Sequence, residues 1–351
     1  MVRGCPEVGS TTLIAGRRLA AGAAALVFTV TAAGCSSAAG ASGSGSAPKV
    51  VNLVAYSTPQ KVYAKLIPAF QATPAGKGVK FTQSYGASGA QERAAAAGQQ
   101  ADVVEFSLAA DMDKLVQAGL VPSNWNANPY QGMVTDSVAV LVVRKGNPKH
   151  IRSWADLARP GVKVVTPNPF SSGSARWNLM ALYGSQIKQG KTPAQALAFV
   201  KAVLKNTVAQ PESGSKATAA FVGGTGDVLI SYENEAIKAQ QGGEPVDYII
   251  PDQTILIQNP IAVTKDAKDP AAARAFVKFL YTSKAQQIFA QYGYRPVVKT
   301  DLSTSRFPTP SGLFTIADFG GWSKVSSQFF DPATGSITKI ESQLGVSTSS
   351  G

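Results

Sequence analysis

Four short turns rich in serine, threonine and glycine are the residues of this chain whose types and spacing could do chemistry. Each follows an apolar, β-branched run and precedes a helical pattern. They are residues 56–59 (YSTP), 86–89 (GASG), 171–174 (SSGS) and 213–215 (SGS). The first amides of a helix have no partner inside it, and the helix dipole favours negative charge there. Four such turns therefore predict a site for a small anion, with plain helix capping as the alternative interpretation of any single turn.

The chain has few residues suited to other kinds of chemistry. The chain has one histidine, His150, and two cysteines, which argues against histidine-based metal sites, catalytic triads and cysteine-rich modules. Glu233 and Glu235 stand two apart, a spacing that does not pair them on a helix face, so we assign Glu233 a supporting role behind the site. Arg176 is expected to brace the turn at 171–174 from behind. We predict no catalytic residues, no metal and no cofactor.

Composition sets the broad class of the protein. With 351 residues, 44% hydrophobic and 15% charged, the chain can build two lobes, each with a buried core. The formal net charge of +12 suggests an anionic ligand, an anionic membrane surface or nucleic acid. Because the lysines and arginines are scattered, we predict that nucleic acid is not a partner.

The first residues have the pattern of a secretory signal. Arg17 and Arg18 precede residues 19–30, an uncharged stretch that as a helix would rise only ~18 Å, too short to span a bilayer. Small residues then lead to Cys35, a pattern that resembles a bacterial lipobox. We predict a signal peptide over 1–34, and over 35–49 a lipidated Cys35 with a flexible linker that anchors the protein outside the cell membrane. An ordinary secreted protein with a free Cys35 is the alternative, and export by the twin-arginine route is another.

The rest of the chain alternates between strand and helix patterns, which predicts an α/β fold with mainly parallel sheets. Strand patterns lie at residues 50–55, 79–84, 103–106, 138–143, 162–166, 227–232 and 248–250. Helical patterns include residues 60–70, 91–97, 111–118, 193–204, 270–280 and 282–291. Asn259-Pro260 before 261–264 indicates a point where the chain crosses between lobes.

Several long motifs resemble bacterial sulfate- and thiosulfate-binding proteins. They are residues 144–149 (RKGNPK), 154–161, 166–178 (TPNPFSSGSARWN), 226–235 (GDVLISYENE), 294–296 (YRP) and 313–322 (LFTIADFGGW). Weaker similarity extends from residue 50 to about residue 337. The resemblance implies a two-lobed periplasmic binding protein fold of type II. In that fold each lobe is a mainly parallel sheet flanked by helices, and two crossover strands join the lobes. We place the first lobe at 50–138 and 258–351, including the C-terminal helices, and the second at 139–257. The crossovers are expected near 136–140 and 258–263.

The resemblance also implies a set of sulfate ligands. The hydroxyl of Ser88 would donate to the anion, and Ser57 and Gly214 would contribute backbone amides. Ser172, Gly173 and Ser174 would donate at a helix start, although the family usually has glycine in place of Ser174. Tyr232 stands where sulfate binders commonly have a tryptophan whose indole N–H reaches the anion.

The function implied is a solute-binding protein, not an enzyme, that captures sulfate and delivers it to the permease subunits of an ATP-driven importer. Thiosulfate, molybdate and tungstate are rival ligands for the same fold. An extracytoplasmic enzyme that acts on sulfated or phosphorylated compounds is the alternative from another class, and the small catalytic inventory argues against it.

Overall fold

The computed structural model describes residues 49–300 and 306–348, which fold as alternating strands and helices. The strands are β1 (Val50–Tyr56), β2 (Lys80–Gly86), β3 (Val103–Glu105), β4 (Met133–Arg144), β5 (Val164–Val165), β6 (Thr207–Ala209), β7 (Val228–Tyr232), β8 (Val246–Ile249), β9 (Leu256–Val263) and β10 (Arg295–Pro296). The helices are α1 (Gln60–Gln71), α2 (Ser88–Ala96), α3 (Ala109–Gln117), α4 (Gly173–Lys188), α5 (Pro193–Lys205), α6 (Gly214–Val222), α7 (Glu233–Gln241), α8 (Pro270–Leu280), α9 (Ser283–Gln291), α10 (Gly321–Phe330) and α11 (Ser336–Gln343). Short 3-10 helices span Trp154–Ala158 and Ile316–Phe319.

Two long antiparallel strands join two parallel halves of the sheet. The strand order is β2-β1-β3-β9-β4-β7-β5-β6, with β8 and β10 also paired to β4. Strand β4 pairs with β9 up to Val138 and with β7 from Ala139 onward. Strand β9 in turn pairs with β3 from Ile261 onward. These strands cross where the sequence predicted, and the two-lobed α/β fold is confirmed.

Each half of the sheet is covered by helices on both faces, because successive residues of a strand point to opposite sides. In β1, Leu53 belongs to the core shared with α1, α8 and α9, whereas Val54 belongs to the core shared with α2 and α3. In β4, Leu141 packs in the core that contains α4 and α5, and Val142 in the core that contains α6. The carboxyl ends of β1, β2, β3, β5 and β7 are thereby held in place at the start of the turns that follow them.

The C-terminal helices α10 and α11 pack in the same core as α4 and α5. The Trp322 ring lies 4.6 Å from that of Trp177, and the Phe329 ring lies 4.8 Å from that of Tyr183. This packing places the C-terminal helices against α4 and α5, which belong to the predicted second lobe. The reason is that the large apolar side chains of α10 find their partners on α4. The lobe boundaries at 138/139 and 257/258 stay predictions.

Candidate functional site

Ser88 is the first residue of α2, and its side chain joins two neighbouring segments. Its hydroxyl donates to Oδ2 of Asp111 at 2.7 Å and accepts from the amide of Ser107 at 3.0 Å. A serine hydroxyl has one hydrogen to donate, and here Asp111 receives it. The expected donation from this hydroxyl to an anion therefore has a competitor in the structure, and the amide at the start of α2 is the group left for a ligand.

The turn at Ser172, Gly173 and Ser174 forms the start of α4. Ser172 is the N-cap residue, yet its side chain makes no capping bond, and its hydroxyl lies 2.7 Å from that of Ser174. The first amides of α4 thus keep their hydrogens free of a side-chain cap. A Cβ atom on Gly173 would lie only 2.8 Å from Cβ of Ser107 and Cδ2 of Leu108, so this close approach requires glycine.

Gly214 begins α6 and approaches the same turn. A Cβ on Gly214 would lie 2.9 Å from Oγ of Ser174. This helix does carry an ordinary cap, because the hydroxyl of Ser213 accepts from the amide of Lys216 at 3.3 Å. Ser57, before α1, accepts from the amide of Ser215 at 3.4 Å. The capping interpretation thus holds for α6, whereas α2 and α4 have no side-chain cap.

Tyr232 ends β7 and is buried, with 1% of its surface exposed. Its phenol oxygen lies 2.7 Å from the hydroxyl of Ser107. Burial raises the pKa of Tyr232 well above its ordinary value, and the hydrogen bond from Ser107 opposes that shift. The phenol therefore keeps its proton at neutral pH and is able to donate a hydrogen bond.

The seven predicted site residues lie in one continuous network. Ser88 bonds to Ser107, Ser107 contacts Tyr232, and the Gly173 turn packs on Ser107. Ser174 belongs to that turn and lies next to Gly214. Ser57 joins the network by its bond to the residue after Gly214. The amide of Gly89 also donates to the carbonyl of Ser171 at 3.2 Å, so that two of the four turns touch directly. Cavities of about 440 and 510 Å³ flank this network, one beside Gly173 and one beside Ser57, and neither is lined by Ser88 or Tyr232. The network brings the predicted anion-binding turns together.

Arg176 and Glu233 lie one layer outside this network. The Nε of Arg176 donates to the carbonyl of Pro169 at 2.9 Å, and its guanidinium stacks over Phe330 at 5.1 Å. Glu233 follows Tyr232 and is held by Arg295, with 2.6 Å between Oε2 and Nε. Burial raises the pKa of Glu233, and the hydrogen bond and charge of Arg295 oppose that shift. Both side chains therefore engage protein groups, and their supporting roles stay predictions.

Sequence reasoning missed Ser107 and Asp111. Ser107 follows β3 and precedes α3, so it occupies the same position, between a strand and a helix, as the four turns that were recognised. The segment has no glycine and only one hydroxyl residue, which is why composition did not reveal it. A search for every strand end followed by a helix, regardless of composition, would have found it.

Glu105 is a buried acidic group two residues before Ser107. Its Oε2 accepts a hydrogen bond from the phenol of Tyr63, while Oε1 is buried without a hydrogen-bond partner in the described part of the chain. Burial raises the pKa of Glu105 from about 4.5 to about 8, with Tyr63 opposing the shift. The carboxyl group is therefore largely protonated at neutral pH.

Two features of residues 49–300 and 306–348 bear on other functions. Within these ranges no group of three or more histidine, cysteine, aspartate or glutamate side chains is placed to hold a metal ion. In the same ranges no helix is both long and apolar enough to cross a membrane. The predicted signal peptide and Cys35 lie outside the described residues.

Comparison with known proteins places the chain in a family. A family model described as bacterial extracellular solute-binding protein matches residues 51–295. A sulfate-binding protein of Synechococcus elongatus is 43% identical over 322 residues, which cover 89% of this chain and 92% of that protein. A thiosulfate-binding protein of Escherichia coli is 34% identical, over 78% of this chain and 86% of that protein. The chain belongs to the bacterial extracellular solute-binding proteins.

A solved structure narrows the resemblance further. The sulfate-binding protein SubI from Mycobacterium tuberculosis H37Rv matches with a TM-score of 0.78 and 46% identity, over 81% of this chain and 100% of that chain. The resemblance to sulfate-binding proteins drawn from the sequence motifs is thereby confirmed. These relatives are named as binding proteins, not as enzymes.

Proposed function

We propose that this protein binds sulfate outside the cell membrane and delivers it to the permease subunits of an ATP-driven importer. The observation that carries the proposal is the meeting of the uncapped starts of α2 and α4 with the start of α6 and the Tyr232 phenol. Amides without a side-chain cap, and the one hydrogen left over in each of the hydroxyl pairs, Ser172 with Ser174 and Ser107 with Tyr232, offer a set of neutral donors. The sulfate-binding relatives, which match nearly the whole folded chain, support the same ligand.

The kind of donors favours sulfate over phosphate. Sulfate carries two charges and no proton at neutral pH, so it needs only hydrogen-bond donors. Phosphate keeps at least one proton, which needs an acceptor, and an unmatched buried polar group costs ~1–3 kcal/mol. The carboxylate of Asp111, which contacts the network, already accepts from Ser88. We therefore expect rejection of phosphate by about 100-fold.

Calorimetric titration of the purified protein with sulfate, thiosulfate, molybdate, tungstate and phosphate tests this proposal. The expected result is one-to-one binding of sulfate that is tightest in the series, with phosphate about 100-fold weaker. Incubation with model sulfate and phosphate esters is the control for the enzymatic alternative. Comparable phosphate binding, or turnover of an ester, would overturn the proposal.

The proposed location depends on the N-terminal segment. We infer that cleavage before Cys35 leaves a lipidated cysteine, and that residues 36–48, all serine, alanine, glycine or proline, form the tether. Expression of the full-length chain and of Cys35→Ser, followed by membrane fractionation, tests this. Wild type should remain with membranes, and the variant should be released after export. Equal membrane association of both would contradict the anchor.

A further inference from the structure

Ser107 is connected to more of the site than any residue that sequence analysis selected. Its amide donates to Oγ of Ser88, and its hydroxyl pairs with the phenol of Tyr232. Its carbonyl accepts from the indole N–H of Trp177 at 2.8 Å and from the side-chain amide of Asn259 at 3.0 Å. It is 1% exposed, so each of these bonds is shielded from water.

The partners of Ser107 come from both sides of the crossover strands. Ser88 starts α2, beside β3 itself, and Asn259 lies on the crossover strand β9. Trp177 belongs to α4 and Tyr232 ends β7, in the other half of the sheet. The Gly173 turn packs directly against Ser107, since an added Cβ there would lie 2.8 Å from its Oγ. Ser107 is therefore a contact point between the two halves, beside the proposed ligand.

We propose that Ser107 is a specificity-determining positioning residue whose hydroxyl holds the Tyr232 phenol in place. By doing so it limits how far the turns around Tyr232 can adapt to an anion larger than sulfate. This inference rests on the proposed function. The hydroxyls of Ser107 and Tyr232 carry one hydrogen each. One of these hydrogens forms the bond between the two residues, so the other remains to donate to the anion.

A fixed phenol distinguishes sulfate from thiosulfate. In thiosulfate one oxygen is replaced by sulfur, which is larger and a weaker hydrogen-bond acceptor. While Ser107 holds the Tyr232 phenol, the phenol cannot move away from the larger sulfur atom. A phenol released from Ser107 can move. Sulfate uses the fixed donor. Loss of the Ser107 hydroxyl should therefore weaken the binding of sulfate more than it weakens the binding of thiosulfate.

The test compares both anions on wild type, Ser107→Ala and Tyr232→Phe by calorimetry at one pH. Ser107→Ala should lower sulfate affinity about tenfold, because it leaves a buried phenol without its partner. Thiosulfate affinity should change by less than about threefold, so the preference for sulfate falls. Tyr232→Phe should reduce the same preference. The double variant should lose little more than either single variant, since both remove one bond.

The matched control is Ser185→Ala. Ser185 is also fully buried and its hydroxyl bonds to the carbonyl of Leu182 within α4, away from the site. It should leave both affinities unchanged. If wild type binds no sulfate, the proposed function fails. If wild type binds sulfate but Ser107→Ala weakens the binding of both anions equally, or of neither, the role of Ser107 is overturned. If that variant does not fold, the affinities of Tyr232→Phe for the two anions decide the question in the same way.

Discussion

Helix starts in two regions of the molecule are built differently. Away from the site, Thr192, Asp269 and Thr282 cap α5, α8 and α9, each accepting from a backbone amide three residues on, at 2.9 to 3.3 Å. At the site, α2 follows Ala87 and α4 follows Ser172, and neither residue caps its helix. Ser172 has a suitable hydroxyl but directs it to Ser174. These two helices, unlike α6, thus forgo a contact worth about 1 kcal/mol each. The amide of Gly89 in α2 donates to the carbonyl of Ser171, whereas the first amides of α4 stay available for an anion.

Two buried carboxyl groups at β3 show the same difference. Asp102, just before the strand, accepts from the amides of Asn52 and Lys268, each at 2.7 Å, and from two side-chain amides. Glu105, at the strand end that faces the site, has one bond, from Tyr63. Of these two carboxyl groups, the one in the scaffold is well satisfied and the one next to the site is poorly satisfied. Glu105 is thus a local source of instability that Asp102 is not.

The largest expected effect concerns stability against pH, through Glu105. Its pKa is about 8 in the folded protein and near 4.5 when exposed, so between these values only the folded state holds the proton. The free energy of unfolding should therefore fall as pH rises from about 5 to about 8, by up to ~1.4 kcal/mol per pH unit. Urea unfolding of wild type and Glu105→Gln at several pH values measures this, and the variant should lack this part of the slope.

Exposed Glu212→Gln is the control for Glu105 and should keep the wild-type slope. If the curves for wild type and Glu105→Gln run parallel from pH 5 to 8, Glu105 is not the buried acid that distinguishes the site region.

Gly173→Ala should produce the next largest effect. The added Cβ would lie 2.8 Å from atoms of Ser107 and Leu108, so either the start of α4 moves or the turns separate. We expect a loss of sulfate affinity of about 100-fold, comparable to ~2.7 kcal/mol. Titration calorimetry measures it, with far-ultraviolet circular dichroism to verify the fold. Binding within threefold of wild type would show that the anion does not lie at this turn.

Ser88→Ala should have a smaller effect on binding. It removes the acceptor for the Ser107 amide and the donor to Asp111, and leaves both groups buried. We expect about tenfold weaker sulfate binding from displacement of Ser107, together with ~1–3 kcal/mol of lost stability. Calorimetry and urea unfolding of the same preparation measure both. Unchanged affinity with lowered stability would limit Ser88 to a role in folding.

Thr192→Ala gives the smallest effect and tests the scaffold side of the comparison. Loss of the cap on α5 should cost ~1 kcal/mol of unfolding free energy and leave sulfate affinity unchanged. Ser172→Ala should instead leave the free energy of unfolding unchanged and weaken sulfate binding, because the Ser172 hydroxyl caps no helix and pairs with Ser174. Measuring unfolding and affinity for both variants separates the two kinds of helix start. Equal losses of stability would remove the distinction.

Local patterns predicted the elements that have a polar and an apolar face. Helices α5 and α8 were recognised within one residue of their ends, because each has one buried stripe. The start of helix α4 was predicted at the turn 171–174, but its extent was not, since its first fourteen positions are nearly all buried and carry no polar stripe. Strand β6 was missed because it is short and partly exposed, with Val208 half exposed.

The sequence by itself determined the α/β alternation, the crossovers and the four turns, because each depends on neighbouring residues and on period. It also determined the family, through motifs such as residues 166–178. Only the tertiary structure decided that Ser88 donates to Asp111, that α10 packs on α4 and that Ser107 meets Tyr232. Those two hydroxyl residues are 125 positions apart. The physical reason is that a hydroxyl bonds to whatever the fold brings within about 3 Å, and no local pattern encodes that partner.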